Sequence, residues 1–172
     1  MRFSALLLLV LLAACASRPP PTPVAVVVPP PGADTRQMFC VPYARERSGL
    51  DLHGDGWEWW DAAAGRYARG QQPEPGAVLV FNRTNRLMDG HVAVVTTLVS
   101  AREILVDHAN WDARQGGGPI SLKQLVRDVS PQNDWTAVQV WYPPINQLGL
   151  THFPTRGFVL PRPPAATALR QS

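Results

Sequence analysis

Two cysteines occur in this 172-residue chain, and one of them, Cys40 in "RQMFCVPYARERSGL", falls at the start of a predicted helix. A thiol attacks as its thiolate, and a helix N-terminus favours that anion through its free N–H groups and the positive end of the macrodipole. The N–H of Cys40 itself is then a candidate donor to an oxyanion. A thiol hydrolase also needs a base beside the sulfur and a group that orients the base. His91, in "DGHVAVV", opens a predicted strand after a glycine, so its ring can face a cleft while the valines behind it fill the core. The orienting candidates lie in "VDHANW": Asp107, His108 and Asn110. Side chains alternate along a strand, so Ile104, Val106, His108 and Asn110 share one face and Asp107 takes the other. The apolar members mark the shared face as the one turned to core and cleft, which favours His108 or Asn110 over Asp107. A hairpin loop at 99–102, or a bulged equivalent, sets His91 opposite Asn110, with His108 as a diagonal neighbour within reach of an imidazole. The competing role for Cys40 is that of a small, inert core residue.

Few elements are needed to hold these residues. The sequence predicts a helix over 37–48 ended by Gly49, and a shorter one over 57–64 closed by Gly65. "AVLVF" follows a Pro75-Gly76 turn and reads as a strand; "HVAVVTTLV" and "EILVDHANW" read as a hairpin. Gly116-Gly117-Gly118 marks a loop, the capping-box spacing of Ser121 and Gln124 suggests a helical turn, and "WTAVQVWY" is the last expected strand. Helices followed by strands indicate an α+β fold, with N-terminal helices packed on a small antiparallel sheet. Tyr43, Trp59, Trp60 and Trp111 are candidates to line the cleft and bind substrate, against the alternative of core packing.

The ends of the chain read differently. "MRFSALLLLVLLAACAS" carries one Arg and an apolar run from Ala5 to Leu12, short for a spanning helix of about 20 residues but suited to a secretory signal. The run ends in Leu12-Ala13-Ala14-Cys15, which resembles the lipobox of bacterial lipoproteins. That resemblance implies a signal peptide over 1–14, a lipid on Cys15, and, with Ala16 and Ser17 following, a place on the periplasmic side of the outer membrane. With Cys15 acylated, Cys40 has no partner within its chain, as a reactive thiol would not. Residues 15–32 form a Pro-rich tether in which the valines at 24–28 suit an edge strand. The domain then spans 33–145, and 146–172 reads as a Pro-rich tail, disordered in part.

Composition excludes several classes. A hydrophobic content of 45% is that of a globular chain rather than a disordered one. The formal charge of +3 comes without any Lys/Arg block, so nucleic acid is not an expected partner. "DLHGDG" departs from a calcium loop at His53 and Ala62, and the four histidines lack zinc spacing, so no metal and no cofactor is expected.

"FCVPYAR", "PEPGAVLVF", "GHVAVV" and "DHANW", in this order and spacing, resemble the CHAP domain, the cysteine- and histidine-dependent amidohydrolase/peptidase family, over about 37–142. The resemblance implies a papain-like fold, Cys40 as nucleophile and His91 as base. The family often has Glu two residues before Asn in the third motif; here His108 stands at that place, and the Asn is Asn110. Related cell-wall peptidases use a second histidine there and papain uses Asn, so either residue can orient His91. The implied chemistry is acyl transfer through a thiolate–imidazolium pair and a thioester, on an amide of peptidoglycan: the muramoyl–alanine bond or a peptide bond of stem or cross-link. Two other readings share the fold: a catalytically silent cell-wall-binding domain and a thiol acyltransferase. The sequence names no activating protein partner.

Overall fold

Valines at 78, 80, 92 and 94 are as deeply buried as Leu79, Phe81, Ala93 and Val95, so neither face of these two segments meets water. A hairpin can bury both faces only between two layers, and the computed structural model supplies them: the interior of a β-barrel on one side and the helices on the other. It describes residues 32–111 and 115–163. The expected signal peptide, the lipidated Cys15, the tether with its valines at 24–28, and the chain beyond 163 lie outside the described residues.

Among the described residues there are nine strands and two short α-helices. In chain order they are β1 (Gly32–Met38), α1 (Cys40–Ser48), α2 (Trp59–Ala62, entered through a 3-10 turn at Gly56–Glu58), β2 (Ala68–Gly70), β3 (Val78–Phe81), β4 (His91–Ser100), β5 (Glu103–Ala109), β6 (Gly118–Asp128), β7 (Ala137–Tyr142), β8 (Gln147–Leu148) and β9 (Phe153–Leu160). All pairings are antiparallel. β6, β5, β4, β3, β9 and β7 follow one another, and β7 pairs back onto β6, so six strands close a barrel. β1, β2 and β8 are additions at its edges, on β6, β9 and β7 respectively.

This corrects the expected α+β, papain-like arrangement of helices on a small sheet: the protein is mostly β. Three misleading local signals account for the difference. Residues 37 and 38 pair with Pro119 and Gly118 as the end of β1, so α1 begins only at Cys40. The spacing of Ser121 and Gln124 lies inside β6, where Lys123 adopts φ 53° at an irregular point of the β5–β6 ladder. That left-handed residue breaks the alternation by which a strand is recognised. The stretch 146–172 contains β8 and β9, and β9 is a barrel stave; Pro154 and Gly157 mask it. Gly157 sits where the β3–β9 register slips, between Val80↔Gly157 and Phe81↔Thr155.

The barrel interior is filled by Leu79, Phe81, Val95, Ile104, Val106, Val126, Trp135 and Phe158, among others. The outer face of β3, β4 and β9 carries Val78, Val80, Val92, Val94 and Val159, on which Ala44 of α1, Leu50, Leu52 and Trp59 of α2 pack. Phe158 is fully buried with its ring 5.5 Å from that of Trp135. Phe158→Ala is therefore expected to cost about 3–5 kcal/mol, measured by chemical denaturation. A cost within about 0.5 kcal/mol, that of a surface site, would mean that β9 is not part of the barrel.

Candidate active site

α1 starts at Cys40 because Phe39 is extended (φ −78°, ψ 157°) while its carbonyl already accepts the N–H of Tyr43 at 3.2 Å. Phe39 offers no side-chain oxygen to cap the helix, and Pro42, the third helical residue, has no N–H to be capped. No acidic residue occupies the first turn. The N–H groups of Cys40 and Val41 are thus unspent by the helix. Together with the N–H of Val92 they hydrogen-bond the sulfur and favour its anion. Burial nonetheless pushes the thiol up from its ordinary value, and the nearby Asp89 carboxylate adds to the rise.

Two glycines fix the start of β4. Gly90 is left-handed (φ 65°), and a Cβ there would stand 2.5 Å from the Trp57 nitrogen. A Cβ on Gly56 would stand 2.9 Å from the backbone nitrogen of His91. Bare backbone at both positions lets the 3-10 turn close onto the first residue of β4, and the Trp57 N–H bonds the Asp89 carbonyl at 3.3 Å. His91 leaves this junction pointing inward, on the face of Ala93 and Val95, whereas Val92 points outward toward α1. One strand therefore presents a ring to the barrel mouth and a backbone donor to the sulfur in consecutive residues.

The β4–β5 hairpin turns at Ala101 and Arg102, pairing Ser100 with Glu103, and then slips twice to reach Val94↔Asp107. This is a bulged equivalent of the expected loop, and the register near the site is the expected one. It brings Nε2 of His91 to 3.0 Å from Nδ1 of His108. The pair is boxed in by aromatic rings: Trp111 lies 4.9 Å from His91 and 5.2 Å from His108, and Phe81 lies 5.6 Å from His91. Phe153 closes the box behind Trp111, at 5.0 Å. Both imidazoles are only 2% exposed. Burial lowers the pKa of His108 to about 4, and burial followed by repulsion from His108 lowers that of His91 well below its ordinary value. Both rings are neutral near neutral pH. With His91 donating from Nε2 and His108 accepting at Nδ1, the lone pair of His91 lies on Nδ1.

Cys40, His91 and Asn110 line one cleft of about 710 Å³, with Asp55, Asp89 and Gln115 among its other described residues. Asn110 follows β5 in a left-handed turn (φ 56°), its side chain filling the space a Cβ on Gly118 would need. Asp107 is turned away, as the alternation requires. It is bonded to Arg47 of α1 at 3.2 Å and to the N–H of Lys123 at 2.8 Å, which ties the helix to the sheet. None of the four aromatic candidates is a described lining residue of the cleft. Trp59 of α2 is fully buried, Tyr43 packs on Ala109 and Ile120, and Trp60 stacks under Arg69 with its guanidinium carbon 5.0 Å from the ring. Trp111 backs the histidine pair and lines a second, smaller cavity of about 300 Å³. The "DG" before His91 is the one local signal of the tight junction. Nothing in the sequence marks Gly56 or Phe81, because their contacts are made across the fold.

The family model of the CHAP domain matches residues 31–110, the span that carries Cys40, His91, His108 and Asn110. No curated protein and no solved structure matches the chain. On its family match this segment belongs to the CHAP domain family, which is generally one of amidase- and peptidase-type hydrolases associated with peptidoglycan.

Proposed function

We propose that the protein is a cysteine hydrolase that cleaves an amide bond of peptidoglycan through a Cys40 thioester. The observation that carries this reading is the single open cleft shared by a sulfur at a helix N-terminus and a histidine whose far nitrogen is held at 3.0 Å by a second histidine. Cys40 is the nucleophile, His91 the base and His108 the orienting group. A silent wall-binding domain would have no use for this polar pair in a buried aromatic box. A water-excluding acyltransferase fits less well, because the cleft is open to solvent. The lipid on Cys15 and the periplasmic face of the outer membrane complete the reading from sequence, since both would hold the domain beside its polymer.

The electrostatics favour a neutral thiol and a neutral imidazole at rest, in place of the thiolate–imidazolium pair expected from sequence. Nδ1 of His91 takes the Sγ proton as the sulfur attacks the carbonyl carbon. The developing oxyanion is met by the N–H of Cys40 at the positive end of α1. Collapse breaks the C–N bond, and His91 returns its proton to the leaving amine. Water, deprotonated by the same nitrogen, then attacks the thioester and restores the thiol.

Cys40→Ser is expected to lower the release of soluble muropeptides from peptidoglycan by at least about 10³-fold; equal release by both proteins would overturn the reading. His108→Leu removes the acceptor for His91 and is expected to lower kcat/KM by about 10²-fold or more. A larger loss in Asn110→Ala would move the orienting role to Asn110. The pH dependence follows from the two shifts. His91 must be neutral to act, and its pKa is lowered, so activity persists below the ordinary histidine value and its acid limb lies under about pH 6.5. The thiol is raised, so alkylation of the free protein by iodoacetamide is expected to climb only above about pH 8.5. A flat, fast alkylation rate from about pH 5 to 8 is the signature of a thiolate–imidazolium pair and would remove the neutral one.

A further inference from the structure

The described lining of the Cys40 cleft contains two carboxylates, Asp55 and Asp89, and no lysine or arginine. Most of the other acidic side chains among the described residues are in ion pairs. Glu46, Asp61, Glu103, Asp107 and Asp128 each pair with an arginine. Asp55 and Asp89 are both exposed, and among the described residues neither has an ion-pair partner. The two sit on one wall. Asp89 is two residues before His91, Asp55 precedes the glycine that abuts the His91 backbone, and the bond from the Trp57 N–H to the Asp89 carbonyl ties their segments together. In the proposed attack His91 passes its proton to the leaving amine, so the leaving half of the substrate lies along this same wall.

We infer that the cleft selects an amide substrate whose leaving half carries a free ammonium group, seated between Asp55 and Asp89. The inference rests on the hydrolase reading and narrows its substrate class: a peptide in which the residue after the scissile bond, or a near neighbour, has an unblocked side-chain amine, as a diamino acid of the peptidoglycan stem does. Two carboxylates without a third ligand suit a nitrogen cation held by charge-assisted hydrogen bonds. Among the described residues no three metal-ligating side chains cluster, and a hard divalent cation takes six or more oxygens. The arrangement also couples binding to chemistry. Burial is the main cause of the raised thiol and the Asp89 carboxylate adds to it; an ammonium ion beside Asp89 offsets that added field, so the cognate substrate eases ionisation of its own nucleophile.

The test uses two stem tetrapeptides with lysine at the third position, one with a free and one with an acetylated ε-amine. Binding is measured by calorimetry to the full-length Cys40→Ala protein. The free amine is expected to bind about fivefold more tightly, the upper end for an exposed ion pair. That ratio is expected to fall toward one when Asp89→Asn is added, with Asp55→Asn as the second variant, and to return with Asp89→Glu. Equal binding of the two peptides, or binding of neither, overturns the inference. Wild-type cleavage separates it from the parent reading. Cleavage of both peptides at equal kcat/KM leaves the hydrolase standing and overturns the ammonium site. Preferential binding of the free amine with cleavage of neither supports the ammonium site and overturns the hydrolase.

Discussion

The 3.0 Å bond between Nε2 of His91 and Nδ1 of His108 constrains everything around it. Only one nitrogen of the two can bring the proton, and only a neutral His108 can accept it at Nδ1. Neutrality is favoured by burial: Trp111, Phe81 and Phe153 pack around the pair from the barrel side and desolvate it there. A base at the sulfur needs the tautomer in which His91 donates from Nε2, because that one leaves the lone pair on Nδ1. A barrel suits this task better than an open sheet. Its interior face is closed on all sides, so a polar pair set at its rim is desolvated from behind while its front edge meets the cleft.

The two faces of β4 divide the labour. Inward residues belong to the barrel and carry the imidazole; outward residues belong to the layer under α1 and bring the Val92 N–H to the sulfur. A one-residue slip would exchange the faces and separate base from nucleophile. Three devices hold the phase. Gly90 and Gly56 lock the strand's first residue against the 3-10 turn. Two bulges correct the hairpin between its tip and the site. Asp107, pointing outward from β5, clamps Arg47 of α1 and the Lys123 N–H, so helix and sheet cannot slide independently.

How far this was legible depends on the range of the interactions concerned. The alternation around Ile104, Val106 and His108 is local, and it correctly separated His108 from Asp107. The hairpin offset was legible because a bulged loop and a four-residue loop end in the same register at the site. Barrel closure was not legible. β9 enters between β3 and β7 with a proline and a left-handed glycine in its path, and its partner β3 lies far away in sequence. The tryptophans could not be assigned to cleft or core for a related reason. Their size suits a cleft wall and a core equally, and the choice is made by neighbours such as Leu52 and Ala63, which pack around Trp59 in the fully buried layer under α2. The aromatic box was hidden in the same way, since Phe81, Trp111 and Phe153 come from three separate segments.

The histidine at position 108, where the family resemblance leads one to expect Glu, fits the box it occupies. A carboxylate at a site 2% exposed would have to be desolvated, and it would recover that cost only by drawing a proton onto His91 and holding it there as imidazolium. A site built that way rests as an ion pair. Histidine is neutral in the same place, asks for one hydrogen bond, and leaves His91 free of charge until the sulfur gives up its proton. The exchange moves the charge separation from the resting state to the moment of attack. It also makes the field of the cleft more consequential, because a thiol that is not ionised beforehand responds to whatever charge the substrate brings near Asp89.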